Sequence, residues 1–263
     1  MRKRLPTSSV IDANCYQSSH RAHDYAEIVR RWKAVAKAAK LRIEVIAEQG
    51  GYRVYGLKSR AMGGGAPLYV SAGCHGDEPA AVAGLLEWAE ENVEQMAHRP
   101  LMLFPCLNPW GLVNNTRHNH EGLDLNRQFH DESHPLITAW RKFIEDFRFP
   151  VALTLHEDYD ANGIYLYELN PCAGHSYGEP LLQQCEQFIP REWRVSIEGR
   201  KAKCAIVRRT RGVPKLDGMP EAVMLFAEQG GATLTFETPS EFGLFDRVRA
   251  HKAFVAGLFE MTR

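Results

Sequence analysis

Apolar residues recur along this 263-residue chain in two rhythms. One returns every three to four positions, the spacing of a helix face. The other is the alternation or short unbroken run of a strand. Tyr25, Ile28, Val29, Trp32, Val35 and Ala39 predict a helix over 24–40. "LRIEVIAEQGGYRVYGLKSR" alternates apolar and polar about a Gly-Gly break and predicts a hairpin. "MGGGAP" reads as a turn and "LYVSAG" as a short buried strand. Val82, Leu85, Leu86, Ala89, Val93 and Met96 predict an amphipathic helix, with Pro79 in its first turn. "PLMLFPCLNP" is a second buried strand, and 118–131 a polar loop. Leu136, Ile137, Trp140, Ile144 and Phe147 give a helix, and "VALTL" a third strand ending at His156. Leu181, Leu182, Cys185, Phe188 and Ile189 give another helix, and "ATLTF" a fourth strand ending at Glu237. Phe245, Val248, Val255, Leu258 and Phe259 mark a closing helix.

This alternation predicts an α/β fold: three layers, α/β/α, about a mixed, largely parallel central sheet. No repeat, low-complexity tract or linker interrupts it, and the length suits one large core, so residues 1–263 read as a single domain. Lys+Arg and Asp+Glu both number 32, which gives no electrostatic reason to expect nucleic acid or an anionic membrane as partner. No apolar run reaches the roughly 18 residues of a membrane span. The basic start "MRKRLPTSSV" has no apolar stretch after it and reads as a solvated tail, not a secretion signal. Cys15, Cys74, Cys106, Cys172, Cys185 and Cys204 are scattered without a C-x-x-C pair, which suggests reduced thiols in a cytoplasmic protein.

Four apolar strands each run into a polar group: His75 and Glu78, Asn108, His156, and Glu237. In α/β sheets, ligands bind beyond the carboxyl ends of the strands, so these ends are expected to converge. His75 and Glu78 flank a strand-to-helix turn that Gly76 allows to bend, and His156 is the best third ligand for a zinc ion. "LHEDYD" is not the H-E-x-x-H signature, because Asp160 stands where the second histidine belongs. Glu157 and Asp158 read as solvated or supporting carboxylates, and Cys74 as a packing thiol facing away from His75. His98, His175 and His251 read as surface residues, while His118, His120, His130 and His134 cluster in the polar segment.

With "HGDE", "NPWG", "RHNHEGLDLNRQF", "LTLHED" and "TFETPS" in this order over residues 68–240, the chain resembles the zinc metallocarboxypeptidases of the pancreatic type. Its compactness looks more like the murein-peptide amidases and the succinylglutamate desuccinylase/aspartoacylase branch. The resemblance implies a carboxypeptidase-like catalytic domain with one Zn2+ on His75, Glu78 and His156. It also implies Asp124 as the carboxylate supporting the first zinc histidine, Arg117 as oxyanion stabiliser, Asn126 and Arg127 as the grip on a substrate carboxylate, and Glu237 as general base. The family's substrate-gating tyrosine has no counterpart, because no tyrosine lies between Lys201 and Glu237. Tyr165, Tyr167 and Tyr177, further upstream, could substitute for it but read rather as packing residues.

The function expected is hydrolysis of a C-terminal peptide or amide bond in a short peptide with a free carboxylate. The alternatives are a zinc amidohydrolase deacylating an N-acyl amino acid, and an inactive binding module. A deacylase for dicarboxylic acyl groups needs a further basic residue; Arg208, Arg209, Arg211 and Lys215 form such a run, which otherwise reads as a solvated loop. Asp217 and Glu221 are the acidic residues that could instead attract a basic side chain. An inactive module predicts a lost ligand or base, yet every such position is occupied.

Overall fold

A computed structural model describes Tyr16 and residues 19–262; the basic start over 1–10 and Cys15 lie outside the described residues. In chain order, α1 (Tyr25–Ala38) precedes the hairpin β1 (Arg42–Gln49) and β2 (Tyr52–Lys58). Then come β3 (Leu68–Ala72), α2 (Pro79–Glu91), α3 (Val93–Met96), β4 (Leu101–Phe104), α4 (Pro109–Asn114) and α5 (Pro135–Ile144). The second half holds β5 (Val151–Asp158), β6 (Tyr165–Leu169), α6 (Gly178–Cys185), the small hairpin β7 (Ser196–Ile197) and β8 (Arg200–Lys201), β9 (Ile206–Arg209), α7 (Glu221–Gln229), β10 (Ala232–Pro239) and α8 (Leu244–Met261).

The main sheet has the order β1-β2-β4-β3-β5-β10-β6-β9. Its centre, β4-β3-β5-β10, is parallel, and antiparallel pairings flank it at β2/β4 and β10/β6. The sheet is therefore mixed and largely parallel, inside a three-layer α/β/α fold. Successive strand residues face opposite layers. Leu68, Val70, Leu101, Leu103, Val151, Leu153 and Leu155 pack in one core with α1, α2, α6 and α8. Tyr69, Met102, Phe104 and Ala152 pack in the other with α5 and α7. Because both faces of these strands are covered, they read as unbroken apolar runs rather than alternations.

Local chemistry sets the element ends. Asp24 accepts the Glu27 amide at 3.0 Å and caps α1. Pro79 sits in the first turn of α2, where its missing N–H costs nothing. The bend after β3 is taken by Gly73, at φ +63°, rather than by Gly76. Gly76 is glycine for another reason: a Cβ there would lie 1.9 Å from the Gly111 carbonyl carbon in α4. Both β5 and β10 run on past their apolar stretches, to Asp158 and Pro239, so His156 and Glu237 stand inside strands and not at their tips.

Candidate active site

His75, Glu78 and His156 present a nitrogen, an oxygen and a nitrogen within 4.8 Å of one another. All three residues are buried, Glu78 to 2% exposure. His75 Nδ1 lies 2.6 Å from one Glu78 carboxylate oxygen, and His156 Nδ1 lies 2.9 Å from the other. The remaining ring nitrogen of His75, Nε2, meets Asp124 Oδ1 at 3.1 Å. The strand ladder fixes the second half of the group. Glu237 on β10 is the direct register partner of His156 on β5, and Tyr165 on β6 is that of Glu237. Side chains of such a row share one face.

The loop between α4 and α5 delivers the rest. Arg117 donates from Nε and Nη2 to Asp124 Oδ2 at 3.0 and 2.9 Å, a two-pronged grip that leaves Nη1 beside His75 Nδ1 at 3.3 Å. Asp124 itself accepts the Asn126 amide at 2.9 Å, which opens the short helical turn carrying Asn126 and Arg127. The Asn126 side-chain oxygen accepts the Glu221 amide at 3.0 Å, so its NH2 group is left to donate. Gly218, at φ +72°, passes so close that a Cβ would lie 2.5 Å from the Arg127 carbonyl oxygen.

These groups share one cleft of about 820 Å³, lined by His75, Glu78, Arg117, Asn126, Arg127, His156 and Glu237 among others. Asn108 does not join them. Its side chain caps α4 at Gly111 and donates to the carbonyls of Arg117 and His118, so it props the arginine-bearing loop from behind. Three of the four strand ends therefore converge, and the fourth builds scaffold.

The charges are strongly coupled. Burial works against a cationic His75, yet the Glu78 charge and hydrogen bonds to Asp124 and Glu78 lift its pKa to about 9. Burial likewise opposes an ionised Glu78, but the two imidazoles bring it down to about 2. Burial also raises Asp124, and His75 and Arg117 override it, holding the carboxyl well below the usual carboxylate range. Glu237 goes the other way. Burial, reinforced by the nearby Glu78 and Asp158 carboxylates and only partly offset by His156, pushes it well above the ordinary value. One buried carboxylate is thus held charged between the imidazoles, and a neighbouring one is set to hold a proton.

Several expectations are corrected. Tyr165 and Tyr167 do not simply pack: both line the cleft, their hydroxyls donating to Asp158 at 2.9 Å and Glu198 at 2.7 Å. Tyr159, a residue with no signal in the sequence pattern, stands exposed at the rim. Of the basic run, Arg208 and Arg209 line the cleft, whereas Arg211 and Lys215 do not. Asp217 lines it too, but Glu221 is fully buried and bonded to the Tyr69 hydroxyl, so it faces no ligand. His251 is fully buried in α8 rather than on the surface. Glu157 is buried and paired with Arg247, not solvated. Cys74 is buried in the core as expected, and no disulfide joins the cysteines among the described residues. Among those residues no helix is long and apolar enough to cross a membrane.

Residues 65–158 match the succinylglutamate desuccinylase/aspartoacylase catalytic domain family. No curated protein matches the chain. Among solved structures, a candidate metallopeptidase from Shewanella amazonensis is 21% identical, with 91% of this chain and 94% of that one covered and a TM-score of 0.80. One from Shewanella baltica is 22% identical, covering 92% and 94%, with a TM-score of 0.81. A metallo-carboxypeptidase from Pseudomonas aeruginosa in complex with (2-guanidinoethylmercapto)succinic acid is 18% identical, covering 90% and 68%, with a TM-score of 0.58. The fold is thus carboxypeptidase-like, and both comparisons agree with the resemblance read from the sequence: the structures in fold, residues 65–158 in their match to the desuccinylase/aspartoacylase domain.

Proposed function

We propose that this protein is a zinc-dependent hydrolase of the metallocarboxypeptidase type, cleaving the C-terminal peptide or amide bond of a short peptide with a free carboxylate. One observation carries this reading. Two imidazoles and a carboxylate within 4.8 Å share a cleft with a second carboxylate, that of Glu237, and with Arg117 and Arg127. A nitrogen–oxygen–nitrogen donor set suits a catalytic zinc, and His75, Glu78 and His156 would hold it. When bound, zinc supplies a Lewis acid and lowers the pKa of water at the site.

The chain's own residues supply the remainder. Glu237, beside His156 in the ladder and open to the cleft, accepts a proton from the attacking water and returns it to the leaving nitrogen. Arg117 directs Nη1 to the side of His75 where negative charge develops on the carbonyl oxygen. Asp124 fixes the His75 ring through Nε2, so that Nδ1 is the nitrogen offered to the metal. Arg127 and the free NH2 of Asn126 bind the substrate carboxylate; a guanidinium suits the planar group. The succinic acid derivative in the Pseudomonas aeruginosa protein is consistent with a carboxylate-binding cleft in this fold.

The family match over residues 65–158 favours a second reading, deacylation of an N-acyl amino acid by the same groups. Both readings are tested by assaying zinc-loaded and chelator-stripped protein on peptides, amidated peptides and N-acyl amino acids. Zinc-restored cleavage of peptides with a free carboxylate is expected. Activity that survives metal removal would overturn the zinc reading, and turnover confined to N-acyl amino acids would replace the peptidase reading with the deacylase one.

A further inference from the structure

The residue after each strand-borne site residue faces the opposite layer, and there α8 meets it. His156 is followed by Glu157, whose side chain is fully buried against Arg247 of α8. Glu237 is followed by Thr238, whose hydroxyl lies 3.0 Å from His251 Nε2, one turn further along α8. The other Glu157 oxygen, Oε1, accepts the amide of Ala80 at 2.7 Å. Ala80 is the second residue of α2, two after Glu78. One carboxylate thus joins the strand that carries His156 to the helix start that carries Glu78, across 77 residues of sequence. Arg247 is itself anchored, donating from Nε to the Phe242 carbonyl at 2.8 Å. The helices touch directly as well, since a Cβ at Gly84 of α2 would come within 2.5 Å of His251 Cβ. A buried carboxylate is retained only where its charge is paired and its oxygens are hydrogen-bonded, and both conditions are met here.

We propose that Glu157, neutralised by Arg247, is a positioning residue for the metal site: it clamps the Glu78-bearing helix start to the His156-bearing strand from behind the sheet. The proposal rests on the metal-site reading for its consequence, though not for its geometry. Removing the arginine leaves a buried charge unpaired and loosens the clamp. Removing both charges together keeps the acceptor for Ala80, because glutamine still offers an oxygen.

The test compares wild type, Arg247→Met, Glu157→Gln and the double variant in two ways. Zinc affinity is measured by competition with a chromophoric chelator, and exchange of the Ala80 amide is followed by NMR in metal-free protein. Arg247→Met is expected to weaken zinc binding about 10- to 100-fold, the range for residues that orient ligands from behind, and to speed Ala80 exchange. The double variant is expected to recover most of both losses. A residue with a merely structural role would lower the melting temperature of Arg247→Met without changing zinc affinity in the folded protein. Equal affinity and equal exchange in all four proteins would overturn the clamp. If wild type takes up no zinc, the metal-site reading falls, and Ala80 exchange alone decides the clamp.

Discussion

The two halves of the candidate site are built in different ways. His156 and Glu237 stand on paired parallel strands, His75 and Glu78 on the tight turn between β3 and α2, and the side chains of His75, Glu78 and His156 are nearly lost to solvent. Arg117, Asp124, Asn126 and Arg127 stand on a loop that has no ladder, and Arg117 keeps 39% of its side chain exposed. In this first half, the strand half, the ladder holds His156 and Glu237, while burial and hydrogen bonds through Glu78 tie in His75. The loop half relies more on side chains, with Asn108 on the Arg117 carbonyl and Asp124 on Arg117 and on the Asn126 amide, and on backbone bonds such as that from Met219 to the Arg127 carbonyl. On the proposed roles this is a division of work, the first half holding the metal ligands and the base and the second the groups for the substrate.

Substitutions can break that division. Glu237→Gln should lower kcat by about 10²- to 10⁴-fold while zinc content, measured by atomic absorption, stays whole. Loss of zinc together with turnover would mean that Glu237 belongs to the metal half. Asp124→Asn bridges the two halves, since it touches both His75 and Arg117; about 10- to 100-fold weaker zinc binding is expected by chelator competition. Arg127→Ala should raise KM about tenfold or more for substrates with a free carboxylate, from loss of a charged hydrogen bond. Equal loss on amidated substrates would remove the carboxylate grip from this arm. Gly76→Ala forces a side chain against Gly111 and should cost on the order of 1–3 kcal/mol in denaturant unfolding. An unchanged midpoint would show that the two turns do not depend on their close approach.

The smallest effect concerns protons. His75 is raised to about 9 and His156 is also raised, burial opposing and the Glu78 charge prevailing in both. A ligand imidazole must be neutral, so zinc uptake near pH 7 should release about one proton from His75 and a further fraction from His156, read by calorimetry in buffers of different ionisation enthalpy. Affinity should rise with pH up to about 9 and then level off. For the metal-free protein the signs differ by group. The raised His75 stabilises fully below the unfolded histidine pKa, and that contribution fades as pH rises through about 9. The depressed Glu78 stabilises above the unfolded glutamate pKa, and its contribution fades as pH falls towards about 2. A melting-temperature profile without this plateau would contradict the pairing.

The strand half was legible because a buried parallel strand writes itself as an apolar run, and a polar residue at its end stands out. The loop half carries no period; only its likeness to the carboxypeptidase motifs pointed to Arg117, Asp124, Asn126 and Arg127. The strand β6 escaped because its tyrosines alternate with Leu166 and Glu168 in a short stretch between turns. Glu221 reads from the sequence as an acid that could attract a basic side chain, and nothing local tells that Tyr69 lies against it. His251 does carry a signal in the helical period. It falls three residues after Val248 and four before Val255, on the buried stripe of α8. The Glu157–Arg247 pair spans 90 residues and leaves no local trace at all.

The order of the sheet leaves two outer strands, and each is fitted against unwanted partners. A bare edge offers unpaired backbone groups to any other extended chain. On β1 the pairing slips between Val45 and Ala47, and that irregularity lies among Arg42, Glu44 and Glu48. On β9 the exposed end is Arg208 and Arg209. A kink with charges at one rim and two adjacent guanidinium groups at the other discourage strand addition, so the sheet is protected from growing into aggregates from either side.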